Sequence, residues 1–189
     1  AVSCWNQAEG TSYTFKKNDG CDIPQLSSFK DSFGSIDKDK AQAAGYEILS
    51  GDQWICQDVD ILIPAALENQ ITPDVMPKIS RKVKIICEAA NGPTTPDCDA
   101  LIRERGIELL PDFLCNAGGV TCSYFEQVQC NMNYFWDKDK VLDQLEAIMT
   151  KAFRDVYALA KEKNLCLRDA AYVIAINRVA EAVKLRGWA

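Results

Sequence analysis

Apolar residues along this chain fall into two patterns. Between residues 59 and 112 they come in short, nearly continuous runs: "VDILIP" (Val59 to Pro64), "KVKIICEA" (Lys82 to Ala89) and "IELLPD" (Ile107 to Asp112). Such runs, rich in Ile, Val and Leu, predict strands buried on both faces, as parallel strands are. Between the last two, "PTTPDCDALIRERG" predicts a helix. Thr95 would cap it with Pro96 in first position, Asp97 and Asp99 would sit in its first turn, and Gly106 would close it. Strand, helix and strand in that order make a β-α-β unit, which implies a parallel sheet.

After Trp136 the period becomes helical. Asp137 is placed to cap a long helix in which Leu142, Leu145, Met149, Ala152, Val156 and Leu159 recur at steps of three and four, forming one apolar stripe. A second helix, about Arg168 to Leu185, repeats the spacing with Ile176, Val179, Ala180 and Val183 and stops at "RGW" with Gly187. Residues 5–58 offer turn signals such as Asn18-Asp19-Gly20 and one modest helix near Pro24 to Phe33, and the opening "AVSCW" reads as a strand with its approach cut away. The expected class is α/β: a sheet domain over residues 1–136, with a helical segment over 137–189 packing on it.

Composition narrows the function. With 189 residues, 48% of them hydrophobic, the chain is long enough for one globular core. A net charge of −6 and no basic cluster larger than Arg81, Lys82 and Lys84 argue against nucleic acid as a partner. No apolar stretch approaches the roughly 18 residues of a membrane span, and no basic-then-apolar leader opens the chain, so a soluble, cytoplasmic protein is expected. The nine cysteines show no C-x-x-C spacing and histidine is absent. The thiols therefore read as reduced, small hydrophobes, with no metal site, and every histidine-based mechanism is removed.

Ligands of open parallel sheets bind beyond the carboxyl ends of the strands. "PAALENQIT", "EAANGPTT" and "CNAGGVTCS" follow the three predicted strands and place Asn69, Asn91 and Asn116 there. A neutral carboxamide both donates and accepts, which suits a ribose or a nicotinamide amide. Each asparagine also has the plainer reading of a loop residue bonding its own backbone. Gly118 and Gly119 open the following helical segment at a cost of about 1 kcal/mol each relative to alanine, so backbone without side chain is expected to serve a ligand's close approach there.

"IPAALENQIT", "CEAANGPTTPD", "LPDFLCNAGGVTCSYFEQVQ" and the closing "RDAAYVIAINRVAEAVKLRGW" closely resemble the nucleotide-binding domain of the glutamate dehydrogenase family, in the family's order and over nearly the whole chain. The resemblance implies a Rossmann-like parallel sheet and an enzyme that oxidatively deaminates L-glutamate to 2-oxoglutarate and ammonia with NAD, NADP not being excluded. It implies that Ala66 and Asn69 line the adenosine and ribose wall, that Asn91 lies beside the cofactor and that Asn116 faces the nicotinamide ribose or carboxamide. Val120 and Ser123 match positions lining the substrate pocket, Ser123 offering its hydroxyl to the substrate's side-chain carboxylate. A homo-hexamer is implied for the complete enzyme.

Several features depart from the family pattern. The first strand and Gly-rich phosphate loop have no counterpart, nor has the substrate domain with the family's catalytic lysine and aspartate, so no catalytic residue is expected within the chain and the chain alone is expected to be inactive. Cys4 stands where an acid commonly meets the adenine ribose, and Cys115, Cys122 and Cys130 replace small, aliphatic or asparagine residues. A domain fragment of a dehydrogenase is the first reading. A non-catalytic binding or scaffold module with introduced cysteines is the alternative.

Overall fold

The computed structural model describes residues 1–188. It divides into two compact units: Ala1–Val59 with Pro77–Lys82, and Asp60–Met76 with the chain from Val83 onward.

In the first unit, strands β1 (Val2–Asn6), β2 (Thr11–Lys16) and β3 (Glu47–Ser50) form an antiparallel sheet in that order. The strand at the opening is as expected, but its partners are not: the polar-rich "TSYTFK" carries too little apolar signal to announce β2. Val2 pairs with Phe15 and Asn6 with Thr11, so the turn between them closes through Gly10, whose φ of +63° suits glycine. Helices α1 (Ile23–Ser28) and α2 (Lys38–Ala43) are capped by Asp22 and Asp37, whose carboxylates accept the Gln25 and Lys40 N–H groups. Phe15, Leu26, Ile36, Ala41 and Tyr46 make the core. Gly51 lies so close to Ser12 that a Cβ there would stand 2.6 Å from the Ser12 backbone oxygen, which excludes any side chain without backbone movement.

In the second unit, β4 (Ile61–Leu62), β5 (Ile85–Cys87) and β6 (Glu108–Leu110) form the expected parallel sheet, each inside its predicted run. The strands are shorter than the runs because loops take over the backbone bonds: the Ala89 and Ala90 N–H groups both donate to the Pro64 carbonyl, at 3.0 and 2.9 Å. The crossover helix α3 (Cys98–Glu104) starts later than predicted, with Asp97 rather than Thr95 at its cap. Thr95 is held by Ile71, its N–H donating to the Ile71 carbonyl at 3.0 Å and its hydroxyl bonding the same oxygen, which keeps residues 94–95 extended.

Helices α4 (Asp112–Cys115), α5 (Ala117–Met132), α6 (Lys138–Lys163) and α7 (Leu167–Leu185) complete this unit. Left-handed Asn133 and Asn164 end α5 and α6. Asp137 sits at the cap of α6 but makes no side-chain capping bond. Leu114, Val156, Ala160, Leu167, Ala170 and Ala171 form the core under the helices, flanked by Leu110, Ala152 and Leu159. The predicted stripe of α6 is thus buried towards its carboxyl end, while Leu142 is exposed. In α7 the predicted stripe is displaced: Ile176 and Val179 are 62% and 65% exposed, and burial falls on the first turns instead. Leu167, Ala170 and Ala171 in those turns enter the core shared with Leu114 and the α6 residues Val156 and Ala160. No described helix is long and apolar enough to cross a membrane.

Candidate functional site

The loops leaving β4, β5 and β6 are knitted to one another. Asn69 adopts φ +54°, and its N–H donates to the Gly92 carbonyl at 2.9 Å, while the Gln70 and Ile71 N–H groups share the Pro93 carbonyl. Asn91 and Asn116 come together from separate loops, the Asn116 Nδ2 donating to the Asn91 Oδ1 at 2.7 Å. Asn91 is exposed and Asn116 half-buried. The bridge uses one polar atom of each; the Asn91 amide nitrogen is a further donor and the Asn116 carbonyl oxygen a further acceptor.

Beneath this bridge lies a charged network. Glu88, at the end of β5, has no exposed surface. Its Oε2 accepts the Asp112 N–H at 2.9 Å and its Oε1 accepts the Arg168 Nη2 at 2.9 Å. Asp112 in turn accepts the Gly92 N–H at 2.8 Å and the Phe113 N–H at 2.8 Å. Glu88 and Asp112 thus anchor strand-end backbone, as a carboxylate with backbone N–H partners does. The Arg168 guanidinium also meets Asp99 at 3.2 Å and Asp112 at 3.8 Å. Burial would lower Arg168, but Glu88 above all, then Asp99 and Asp112, outweigh it and hold the guanidinium above its ordinary value. Asp99 and Arg168 were missed as site supports. A signal was present in Arg168, a cation in the first turn of a helix, where the dipole disfavours positive charge.

The remaining predicted residues sit on the surface around these loops. Ala66 is exposed beyond β4. Val120, in the first turn of α5, is 70% exposed, and exposed Ser123 donates its hydroxyl to the Gly119 carbonyl at 3.3 Å. A Cβ on Gly119 would meet no atom within 4 Å and one on Gly118 only the Leu145 Cδ1 at 3.8 Å. Among the described residues no atom therefore requires either glycine. Cys87 and Cys115 lie beside one another at the sheet edge. Burial pushes both thiols up from their ordinary value, against the hydrogen bond from Cys115 that lowers Cys87. A cleft of about 380 Å³ lined by Asp99, Ile102, Arg103, Leu167 and Arg168 lies on the α3 side and includes none of the three asparagines.

Several known proteins are similar to this chain in sequence or fold. An NAD-specific glutamate dehydrogenase of Clostridioides difficile is 44% identical over 188 residues, covering 100% of this chain and 43% of that protein. The NAD-specific glutamate dehydrogenase of Peptoniphilus asaccharolyticus is 41% identical over the same length, again covering 43% of that protein. Among solved structures, the hetero-hexameric glutamate dehydrogenase of Thermus thermophilus superposes with a TM-score of 0.79 at 26% identity, over 90% of this chain and 38% of that one. The chain spans less than half the length of these relatives. The model of the glutamate/leucine/phenylalanine/valine dehydrogenase family matches residues 8–187, nearly the whole sequence, and the chain belongs to that family.

Proposed function

We propose that this chain forms the cofactor side of an NAD-dependent glutamate dehydrogenase, with residues 1–136 as its nucleotide-binding part and 137–189 as a helical segment packed on it. The observation that carries the reading is the Asn91–Asn116 bridge at the carboxyl edge of a parallel sheet, in a chain whose relatives are named NAD-specific glutamate dehydrogenases. The residues fit a dinucleotide: two carboxamides present a donor and an acceptor, and the glycine pair leaves open space where a side chain would stand. NAD, when bound, supplies the hydride acceptor.

Asn116 orients the nicotinamide side and Asn91 braces it, while Ala66 and Asn69 line the adenosine side. Val120 and Ser123 form one wall for glutamate and 2-oxoglutarate. Ser123 reaches a substrate carboxylate by giving up its bond to Gly119, an exchange of one acceptor for a charged one. NAD is the proposed cofactor because the relatives are named NAD-specific. The complete enzyme is proposed to be a cytoplasmic homo-hexamer.

Positioning of substrate against cofactor supplies about 7–11 kcal/mol of such a barrier, and one wall of a pocket does not provide it. The chain by itself is therefore expected to bind NADH weakly and to turn over no glutamate. Isothermal titration with NADH tests the first expectation, a complete absence of saturable heat arguing for a scaffold module instead. NADH formation from glutamate by the isolated chain would overturn the second.

A further inference from the structure

We propose that Arg168 is a positioning residue for the dinucleotide site, setting the Asn91–Asn116 carboxamide pair from beneath; the inference rests on the strand ends being that site. An unbroken path of contacts runs from one to the other. The Arg168 fork holds Glu88 at 2.9 Å and lies 3.8 Å from Asp112. Glu88 fixes Asp112 through its N–H, and Asp112 fixes the Gly92 N–H at 2.8 Å. Gly92 is the next residue after Asn91, and its carbonyl accepts the Asn69 N–H. The Asn116 N–H donates directly to the Asp112 carbonyl at 2.8 Å, so all three predicted cofactor asparagines are one or two links from Asp112.

Three features separate this role from that of a simple tether for α7. The Arg168 side chain is 16% exposed and that of Glu88 not at all, so the pair is shielded from the water that weakens surface ion pairs. Glu88, Asp99 and Asp112 converge on this one cation, and its removal would leave them facing one another. The helix has other means of docking: Leu167, Ala170 and Ala171 are buried in the core, and Asp169 pairs with Arg103 at 3.5 Å. Arg168 is also placed against the helix dipole, a local cost that its carboxylate partners offset. A lysine keeps the charge but presents a single point, which cannot hold Glu88 and Asp112 as the planar fork does.

The test uses the 189-residue chain with Arg168→Met and Arg168→Lys, followed by amide NMR, thermal unfolding and NADH titration. In Arg168→Met the Ala170 and Ala171 signals stay in place, while the Gly92 amide and the Asn116 side-chain amide shift, Gly92 exchanges at least tenfold faster and NADH binds at least tenfold more weakly. Arg168→Lys melts close to the parent, restores part of the NADH affinity and leaves Gly92 displaced; it decides the matter if the methionine variant does not fold. Gly92 and Asn116 signals unchanged in whichever variant folds would overturn the proposal and leave Arg168 a tether. Should the unaltered chain show no saturable NADH binding, the dinucleotide reading fails, while the amide signals still decide whether Arg168 sets these loops.

Discussion

The antiparallel sheet is built of strands four to six residues long, and its buried polar group, Thr14, is satisfied by the backbone carbonyl of Gly51 at 3.1 Å. The strands of the parallel sheet are only two or three residues long, and its buried polar group, Glu88, is satisfied by a cation 80 residues away in sequence. The first sheet spends its backbone groups on its own ladder and its side chains on one apolar core. The second gives up its ladder early, and the freed chain ends become loops that bond one another and carry exposed carboxamides. A long ladder stabilises a sheet, whereas a short one with braced ends leaves polar groups available for a ligand.

The largest expected effect lies in the antiparallel sheet. Phe15→Ala, at a side chain 1% exposed, should cost about 3–5 kcal/mol in urea unfolding, through lost burial and the cavity left behind. A loss below about 1 kcal/mol would show that this core collapses around the gap and is not the close-packed one described. In the parallel sheet, Glu88→Gln keeps the shape and removes the charge, and should cost about 1.5–3 kcal/mol, the value of hydrogen bonds to a charged group. An unaltered unfolding midpoint would mean that Glu88 is no more than packing.

Asn91→Ala and Asn116→Ala should reverse the pattern, weakening NADH binding by about 1–3 kcal/mol while changing unfolding little, because their bridge lies at the surface of the loops. Full affinity in both variants would remove these residues from the site. Cys87 and Cys115 offer a pH test. Their folded values are raised above the ordinary 9.0 by burial, so the folded state holds its thiol protons longer than the unfolded one. Their contribution to stability is constant below that ordinary value and declines as pH rises through it. The unfolding free energy of the parent should therefore fall more steeply above pH 9 than that of a Cys87→Ala, Cys115→Ala variant, and equal slopes would contradict the assignment. The smallest effect is expected on the outer face of α7, where Ile176→Ser should change stability by no more than about 0.5 kcal/mol. A larger loss would show that this face is packed in solution.

Much of the second unit was legible in the chain. The three apolar runs located β4, β5 and β6, and the strand-helix-strand order with a Gly106 stop implied their parallel pairing. The polar stretches "EAANGPTT" and "CNAGGVTCS" directly after two of those runs placed Asn91 and Asn116 at strand ends. These signals are local: a β-branched run, a 3.6-residue period or a glycine stop biases the backbone wherever it occurs. Thr95 shows the limit of such signals, since a sound capping residue was drawn instead into bonding with Ile71.

What the tertiary structure alone decided is partner choice. Sequence did not reveal that "TSYTFK" would pair with both β1 and β3, because its apolar content is low and the pairing is repaid by the core on one face. Nor did spacing tell which part of α7 would be buried, since a stripe at helical period is satisfied only where another element lies against it. Arg168 is the sharpest case. Alone it is a cation on the wrong end of a helix, and only the folded chain brings Glu88, Asp99 and Asp112 around it. Local propensity selects the elements, but a buried charge is tolerable only where distant residues converge to neutralise it, and that convergence is a property of the fold.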